Sequence, residues 1–201
     1  CPEWIIPAGL AAASFWILIF PVFFSSKEEL YINRAAAGFL ALIYPGAFLA
    51  CICGMGGWNS FHILFFLLIV MGGDSSAWAA GMLFGKGNRG IIKVSPNKSV
   101  AGFIGEMCVS MIIGAAAVLL MPDIFVARWG HALVMGVLLG LLTGIAAALG
   151  DLCESAIKRG AGCKDSGGLI PGRGGVLDSV DSIALAAPVF YFTWLLLFVH
   201  S

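Results

Sequence analysis

The sequence predicts an all-α integral membrane protein with about six transmembrane helices. Of the 201 residues, 60% are hydrophobic and 11% are charged, and the mean hydropathy of +1.00 lies far above that of soluble domains. About 20 apolar residues cross a hydrocarbon core about 30 Å thick, so the chain has room for about six spans and no separate soluble domain. Any chemistry must therefore lie in loops or at helix ends.

Six apolar stretches carry this prediction, and each is long enough to form a transmembrane helix. They run over Trp4 to Phe24, Ala35 to Cys53, Phe61 to Phe84, Val100 to Met121, His131 to Gly150, and Ile183 to Val199. Pro45 in the second stretch and Pro188 in the sixth predict kinks, because proline cannot donate the backbone hydrogen bond of a helix.

Basic residues are distributed unequally between the loops, which predicts the orientation of the chain. The loops after spans one, three and five hold ten of the eleven Lys and Arg residues, and Arg128 lies on the other side. These three loops are therefore predicted to face the cytoplasm. The formal net charge is zero, so no overall field favours nucleic acid as a partner.

Charged residues concentrate in two of the cytoplasmic segments. Nine of the 22 lie between Asp151 and Asp181, and five more between Asp74 and Lys98. Seven of the sixteen residues from Gly160 to Gly175 are glycine, so the backbone there can approach a ligand and present N–H groups to an anion. This combination suggests a phosphate site. A solvated loop with ordinary cytoplasmic lysines is the alternative that the charge count leaves equally open.

The spacing of polar residues at two helix ends favours the phosphate site. If the fifth helix continues to Arg159, one face of its end carries four polar side chains, namely Asp151, Glu154, Ser155 and Lys158. Asp178 and Asp181 recur at i, i+3 where the sixth helix should begin, and two carboxylates beside a glycine loop offer oxygen ligands to Mg²⁺. Helix capping explains either aspartate alone equally well.

Asp74 and Glu106 are ionisable residues inside apolar stretches. Such a group costs at least about 2.5–3.5 kcal/mol on insertion scales unless it faces a cavity or a partner. Asp74 is therefore a functional candidate, with a structural hydrogen bond to a neighbouring helix as the alternative. Glu106 raises the same question with less support from its surroundings. Gly136, Gly140 and Gly144 form a G-x-x-x-G ladder, which predicts close packing of two helices.

The residues around the glycine loop follow a dense pattern. Ser155-Ala-Ile-Lys158-Arg159, four residues, Lys164-Asp165, and then Pro171-Gly172-Arg173-Gly174-Gly175-Val-Leu-Asp178-Ser179-Val-Asp181 closely resemble S-x-x-K-R-x4-K-D…P-G-H-G-G-x-x-D-R-x-D. This is the signature of phosphatidate cytidylyltransferases, the CDP-diacylglycerol synthases. Gly73-Asp74-Ser75 with Gly85-Lys86, and Ser95-Pro96-Asn97-Lys98-Ser99, look like the second conserved stretch of that family. The resemblance covers some 140 residues from Phe61 onwards.

The resemblance implies an enzyme of phospholipid biosynthesis that joins CTP to phosphatidic acid, giving CDP-diacylglycerol and pyrophosphate. It implies Mg²⁺ as cofactor, with room for a second metal ion. Residues 1–60 would form N-terminal transmembrane helices, and residues 61–201 would form the CTP-transferase-like catalytic membrane domain, one continuous helical bundle. Family members usually have additional N-terminal spans, so we expect this chain to be part of a longer protein.

The same resemblance implies where the protein lies and which molecules it binds. The protein would lie in a bacterial-type inner or plasma membrane with its active site facing the cytoplasm. Its partners would be CTP and phosphatidic acid in the bilayer, without nucleic acid, and a homodimer is one assembly that would be compatible. The acyl tails would occupy a lateral gap between helices near the kinks at Pro45 or Pro188.

Site residues are also implied by the resemblance. The catalytic set, which would hold phosphates, comprises Lys158, Arg159, Lys164, Asp165 and Arg173. The substrate-binding set comprises Asp74, Ser95, Lys98, Ser99, Ser155, Gly172, Gly174 and Gly175. The metal ligands would be Asp178 and Asp181, with Asp151 or Asp165 completing the shell.

Three residues depart from the family pattern. Arg173 stands where the family usually has His, Ser179 where it has Arg, and Ser99 where it has Thr. Serine keeps the hydroxyl of threonine, whereas arginine stays charged and cannot transfer a proton near neutral pH. Our hypothesis is that Arg173 supplies the positive charge that is lost at Ser179.

Two other functions fit parts of the sequence. A CTP-dependent polyprenol or phytol kinase, or a related lipid cytidylyltransferase, would use the same nucleotide on another membrane substrate. A membrane transporter could line a pathway with Asp74 and Glu106. The transporter is disfavoured because the polar residues cluster on one side of the membrane and no inverted repeat is evident.

Overall fold

The computed structural model describes residues 5–24, 29–169 and 174–199. Within these ranges the chain forms seven α-helices and one π-helical segment. They are α1 (Ile5–Phe24), α2 (Glu29–Ala41), the π-helical segment (Leu42–Ala47), α3 (Phe48–Gly56), α4 (Ser60–Phe84), α5 (Val100–Leu120), α6 (Ala132–Gly160) and α7 (Leu177–Leu197). The predicted all-α class is confirmed.

Five helical segments of the described chain are long and apolar enough to cross a membrane. They are Tyr31–Gly56, Ser60–Phe84, Val100–Leu120, Ala132–Gly160 and Leu177–Leu197, and a shorter apolar segment covers Ala8–Phe23. The prediction of an integral membrane protein with about six spans is therefore confirmed.

The ends of two spans differ from the predicted ones. Helix α6 continues past Gly150 to Gly160, and α7 begins at Leu177 instead of at Ile183. The added turns carry the charged residues of the signature, which interrupt an apolar run without interrupting a helix. Hydropathy alone therefore ends the fifth span too early and begins the sixth too late, because both helices continue into turns that carry charged residues.

The second span changes helix type at its proline. Pro45 lies within the π-helical segment, and the backbone N–H of Phe48 donates to the carbonyl of Ile43, five residues earlier. A π-turn spaces the backbone hydrogen bonds more widely, which accommodates a residue that lacks an N–H. The helix therefore changes type at Pro45, whereas α7 continues as an α-helix through Pro188; the predicted kinks at both residues stay predictions.

Aromatic side chains fill the end of the bundle formed by the start of α4 and the end of α7. The Trp58 ring stacks on Trp194 with centroids 4.4 Å apart and on Tyr191 at 4.6 Å. His62 is buried against Trp194. The loop between α5 and α6 joins the end of α7, because the N–H of Arg128 donates to the carbonyl of Leu197. This aromatic end closes the bundle opposite to the charged turns.

Helices α5 and α6 approach each other along the glycine ladder. A Cβ atom at Gly136 would overlap the carbonyl of Gly114, and one at Gly140 would overlap the carbonyl of Ser110. At Gly144 it would overlap the Ser110 side chain. The predicted close packing of the G-x-x-x-G ladder is confirmed, and the partner helix is α5.

We expect Gly140→Ala to destabilise the bundle by roughly 1–3 kcal/mol, because the added methyl group overlaps the backbone of α5 and the helices must separate. Thermal unfolding in detergent, followed by tryptophan fluorescence, measures the loss. Gly9→Ala in α1 is the matched control, since a Cβ atom there meets nothing within 4 Å. Equal unfolding temperatures for the two variants would contradict the close contact.

Candidate active site

A cavity of about 900 Å³ lies at the end of the bundle where the two charged segments meet. Helices α4, α5, α6 and α7 contribute to its wall, together with the α4–α5 and α6–α7 loops. Its lining includes six carboxylates and three basic side chains, namely Asp74, Glu106, Asp151, Asp165, Asp178, Asp181, Arg89, Lys98 and Lys158. Folding therefore brings together two segments that lie far apart in sequence.

Asp178 ties the glycine loop to the start of α7. Its Oδ2 atom accepts hydrogen bonds from the backbone N–H of Ser166 at 2.8 Å, from the Ser166 hydroxyl at 2.7 Å and from the backbone N–H of Gly175 at 2.6 Å. Ser166 and Gly175 stand on either side of the loop, so one carboxylate oxygen draws the two together. Gly174 has φ +97°, and a Cβ atom there would come within 2.6 Å of Oδ2.

Lys158 joins α6 to α7 at the same place. Its Nζ atom lies 2.6 Å from Oε2 of Glu154 and 2.7 Å from Oδ1 of Asp178. The Glu154 side chain is fully buried and that of Asp178 is nearly so, so each carboxylate needs this cation close by. The predicted shared face of Glu154 and Lys158 is confirmed, and the structure adds Asp178 as their common partner.

Lys98 connects the α4–α5 loop to α6. Its Nζ atom lies 2.6 Å from Oδ2 of Asp151 and 5.4 Å from the centroid of the Phe103 ring. The neighbouring Ser99 is buried, and its hydroxyl oxygen accepts a hydrogen bond from the N–H of Gly102 at 3.1 Å. Ser99 is therefore the N-cap of α5, which fixes the direction in which Lys98 leaves the loop.

Arg89 fixes the other side of this loop. Its Nη2 atom donates to the carbonyl of Gly81 at 2.9 Å, in the last turn of α4. A cation is favourable there because helix carbonyls lack partners at a C-terminus. The backbone of Gly90 also donates to the carbonyl of Pro96. Arg89 lines the cavity, although the sequence reasoning did not select it.

Asp74 and Glu106 line the cavity from positions within the membrane-spanning helices α4 and α5. Asp74 lies ten residues before the end of α4, about 15 Å along the helix axis. Glu106 is 2% exposed, and its Oε1 atom is buried without a hydrogen-bond partner among the described residues. The Glu106 side chain passes close to Gly73, where a Cβ atom would lie 3.2 Å from its Cγ. The cavity therefore extends polar surface into the apolar bundle, and Glu106 belongs to it.

Most of the predicted site residues lie in the cavity wall or next to it. Nine of the sixteen line the cavity, namely Asp74, Ser95, Lys98, Ser99, Asp151, Lys158, Asp165, Asp178 and Asp181. Gly174 and Gly175 adjoin Asp178, and the Ser155 hydroxyl donates to Asp151 at 3.4 Å.

Two of the predicted phosphate-holding cations are absent from the cavity wall. Arg159 and Lys164 are exposed, and Arg159 donates to the carbonyl of Cys163 at 3.5 Å. Gly172 and Arg173 lie outside the described residues, and so does any contact between Arg173 and Ser179. Within the described residues, carboxylates thus outnumber basic side chains around the cavity.

The predicted metal ligands are carboxylates, whose oxygen atoms suit a metal ion. Their arrangement in the structure suits a metal ion only in part. Among the described residues, no group of three or more His, Cys, Asp and Glu side chains could hold one metal ion. Both oxygens of Asp178 already accept hydrogen bonds from Lys158 and the glycine loop. Oδ1 of Asp181 accepts a hydrogen bond from the N–H of the next residue, Ser182, at 2.8 Å. Asp151 is also engaged, by Lys98 at one oxygen and by Ser155 at the other, so Asp181 has the fewest contacts of the three, and the metal site stays a prediction.

Comparison with known proteins assigns the whole chain to one family. The model of the cytidylyltransferase family matches residues 3–197. The chain is 41% identical over 137 residues to the phosphatidate cytidylyltransferase of Synechocystis sp., which covers 65% of this chain and 45% of the relative. It is 32% identical over 181 residues to that of Staphylococcus saprophyticus, covering 90% and 66%, and 38% identical over 139 residues to that of Haemophilus influenzae, covering 68% and 47%. The chain thus spans about half to two thirds of these relatives.

We expect Gly174→Ala to loosen the glycine loop, because a methyl group at φ +97° is strained and meets the Asp178 carboxylate. The strain of about 1–2 kcal/mol predicts that trypsin cleaves after Lys164 roughly tenfold faster. Mass spectrometry of the fragments measures the rate. Gly168→Ala in the same loop is the control, since a Cβ atom there meets nothing within 4 Å. Unchanged cleavage in both variants would show that Asp178 does not hold the loop.

Proposed function

The chain belongs to the cytidylyltransferase family, and on this basis we propose that it transfers the cytidylyl group of CTP to phosphatidic acid. The products would be CDP-diacylglycerol and pyrophosphate. The observation that carries the proposal is the single cavity in which the Ser95 to Ser99 segment meets the signature residues of α6 and α7. Similarity to relatives named phosphatidate cytidylyltransferase supports the same reaction.

The proposed reaction is an in-line displacement at phosphorus. A phosphate oxygen of phosphatidic acid attacks the α-phosphorus of CTP, a new P–O bond forms, and the bond to the pyrophosphate breaks. The lipid phosphate is already ionised at neutral pH, so no strong general base is needed. The protein must instead hold two anions in line and stabilise the charge on the leaving pyrophosphate. A cavity that combines fixed cations with a glycine loop is suited to this task.

Lys98 and Lys158 are the fixed cations best placed for the phosphates. Each lies at the cavity wall and contacts carboxylates at 2.6–2.7 Å. A phosphate group is an alternative acceptor for the ammonium protons, so either lysine can contact substrate without leaving its helix or loop. Gly174 and Gly175 would bring backbone N–H groups close to the triphosphate, while Asp178 keeps the loop closed.

The excess of carboxylates supports a divalent cation as cofactor. Two anionic substrates would meet net repulsion in this cavity unless a cation entered with them. Mg²⁺ commonly binds one or two carboxylates together with substrate phosphates, and Asp151 and Asp181 would hold it here. When bound, it would neutralise charge on the phosphate oxygens. Asp178 would act instead as the anchor of the glycine loop.

The two substrates would reach the cavity from different sides. Trp78 and Met82 of α4 line the cavity and are 68% and 54% exposed on the surface of a membrane-spanning helix. We infer that the lipid enters along this face of α4 and not at Pro45 or Pro188. The basic loops favour a cytoplasmic position for the cavity mouth, which is where CTP is dissolved.

The position of the label in CTP tests the proposed reaction. Purified protein in detergent micelles is incubated with phosphatidic acid, Mg²⁺ and CTP labelled at the α- or the γ-phosphate. A cytidylyltransferase transfers the α-label to the lipid and releases the γ-label in pyrophosphate. A parallel incubation offers a polyprenol in place of phosphatidic acid. Transfer of the γ-label to this alcohol would identify a kinase, and absence of labelled lipid in both incubations would contradict both functions.

We expect Asp181→Asn to abolish the CTP- and Mg²⁺-dependent formation of CDP-diacylglycerol, because the amide removes a charged oxygen ligand from the cavity. The variant should fold, since an amide oxygen can still accept the hydrogen bond from Ser182. Asp123→Asn is the control, because Asp123 is an exposed carboxylate in the α5–α6 loop at the other end of the bundle. Full turnover by Asp181→Asn, measured with α-labelled CTP, would refute the metal assignment.

A further inference from the structure

We propose that Tyr44 is a positioning residue whose hydroxyl group holds α6 and α7 together where they carry Asp151 and Asp181. The effect of Tyr44 on catalysis rests on the proposed function, whereas its contact with the two helices does not. Tyr44 lies in the π-helical segment of the second span, before the 140 residues that carry the family resemblance. The signature therefore gives no indication of this role.

The hydroxyl of Tyr44 contacts both helices at once. It lies 3.0 Å from the carbonyl oxygen of Gly150 in α6 and 3.3 Å from that of Asp181 in α7. Gly150 directly precedes Asp151, so one contact falls next to Asp151 and the other on Asp181 itself. Tyr44 is 6% exposed. Its single proton is therefore shared between two backbone carbonyls in the interior of the bundle, where each can accept a second hydrogen bond.

The helices can be joined in this way because their backbones touch at this point. A Cβ atom at Gly150 would lie 2.6 Å from the carbonyl oxygen of Asp181 and 3.1 Å from Cα of Ser182. With no side chain between them, a small slide of one helix along the other changes the distance between Asp151 and Asp181 directly. The Tyr44 hydroxyl opposes such a slide, because movement of either carbonyl lengthens one of its two contacts.

The π-helical segment explains how a residue of the second span reaches this crossing. Its wider turn around Pro45 shifts the side chains out of the ordinary helical register. The Tyr44 ring packs edge-to-face on Phe48, with centroids 6.4 Å apart, which leaves the hydroxyl at the end of a supported ring. π-turns recur at functional sites for this kind of re-aiming. The irregular turn, the buried hydroxyl and the glycine crossing thus form one arrangement.

Tyr44→Phe tests the proposal because it removes only the hydroxyl and keeps the packing of the ring. We expect kcat for CDP-diacylglycerol formation to fall about five- to tenfold, the effect of losing about one hydrogen bond, while KM for phosphatidic acid stays the same. Tyr31→Phe is the matched control. The Tyr31 hydroxyl also joins two spans, by donating to the carbonyl of Leu18 at 3.0 Å, but it lies away from the cavity.

Hydrogen–deuterium exchange supplies a second measurement that does not depend on activity. In Tyr44→Phe, we expect backbone amides in the cytoplasmic turns of α6 and α7 to exchange several-fold faster than in the wild type, while those of α5 keep their rates. Tyr31→Phe should leave both regions unchanged. A merely structural role would lower the unfolding temperature and raise exchange in all helices together.

The outcomes separate this proposal from the proposed function. Faster exchange at α6 and α7 in a protein that does not react with CTP would support the role of Tyr44 and overturn the proposed reaction. Unchanged exchange together with unchanged kcat in Tyr44→Phe would overturn the positioning role. A fall in activity equal to that of Tyr31→Phe, without local exchange, would overturn it as well.

Discussion

The contact of Lys158 with Glu154 and Asp178 holds the functional end of this bundle together. Both carboxylates are buried, and neither would tolerate its position without the shared ammonium group. Asp178 in turn gathers the glycine loop through Ser166 and Gly175. One ion-pair network therefore joins α6, α7 and the loop, and residues of all three line the cavity. Lys158, which the sequence indicates as a phosphate ligand, therefore also has a structural role, because it holds the two helices together.

The sequence predicted those features that depend on local composition. Six apolar stretches identify the spans, and the spacing from Ser155 to Asp181 identifies the family, because both signals lie in contiguous residues. The sequence could not predict that the loop would bind Asp178, since two of the three donors to its Oδ2 atom are the backbone N–H groups of Ser166 and Gly175, which any residue could supply. Arg159 and Lys164, to which the resemblance gives a phosphate-holding role, are exposed and do not line the cavity. Which of several cations enters a site depends on helix rotation and not on their number.

Glu106 illustrates a second limit of the sequence. Within α5 it stands among apolar and small residues, and nothing next to it in sequence is typical of a site. Its neighbours come from α4, where Gly73 leaves room for its side chain. Small residues on one helix thus decide whether a carboxylate on the next reaches a cavity or is excluded from the bundle. The charge balance of the cavity changes as a result, since Glu106 adds a carboxyl group whose negative charge only a cation or a proton can neutralise.

The contacts of the second span bear on where the functional unit begins. A boundary at residue 60 follows from the extent of the family resemblance, yet α3 and the π-helical segment both contact α7. Gly54 lies against the Tyr191 ring, where a Cβ atom would come within 2.8 Å of Cε2, and Tyr44 reaches Asp181. An apolar span that only filled space would need neither a glycine nor a buried hydroxyl at these points. The specific contacts imply that α7 acquires its position, and with it the position of Asp181, partly from residues that precede the signature.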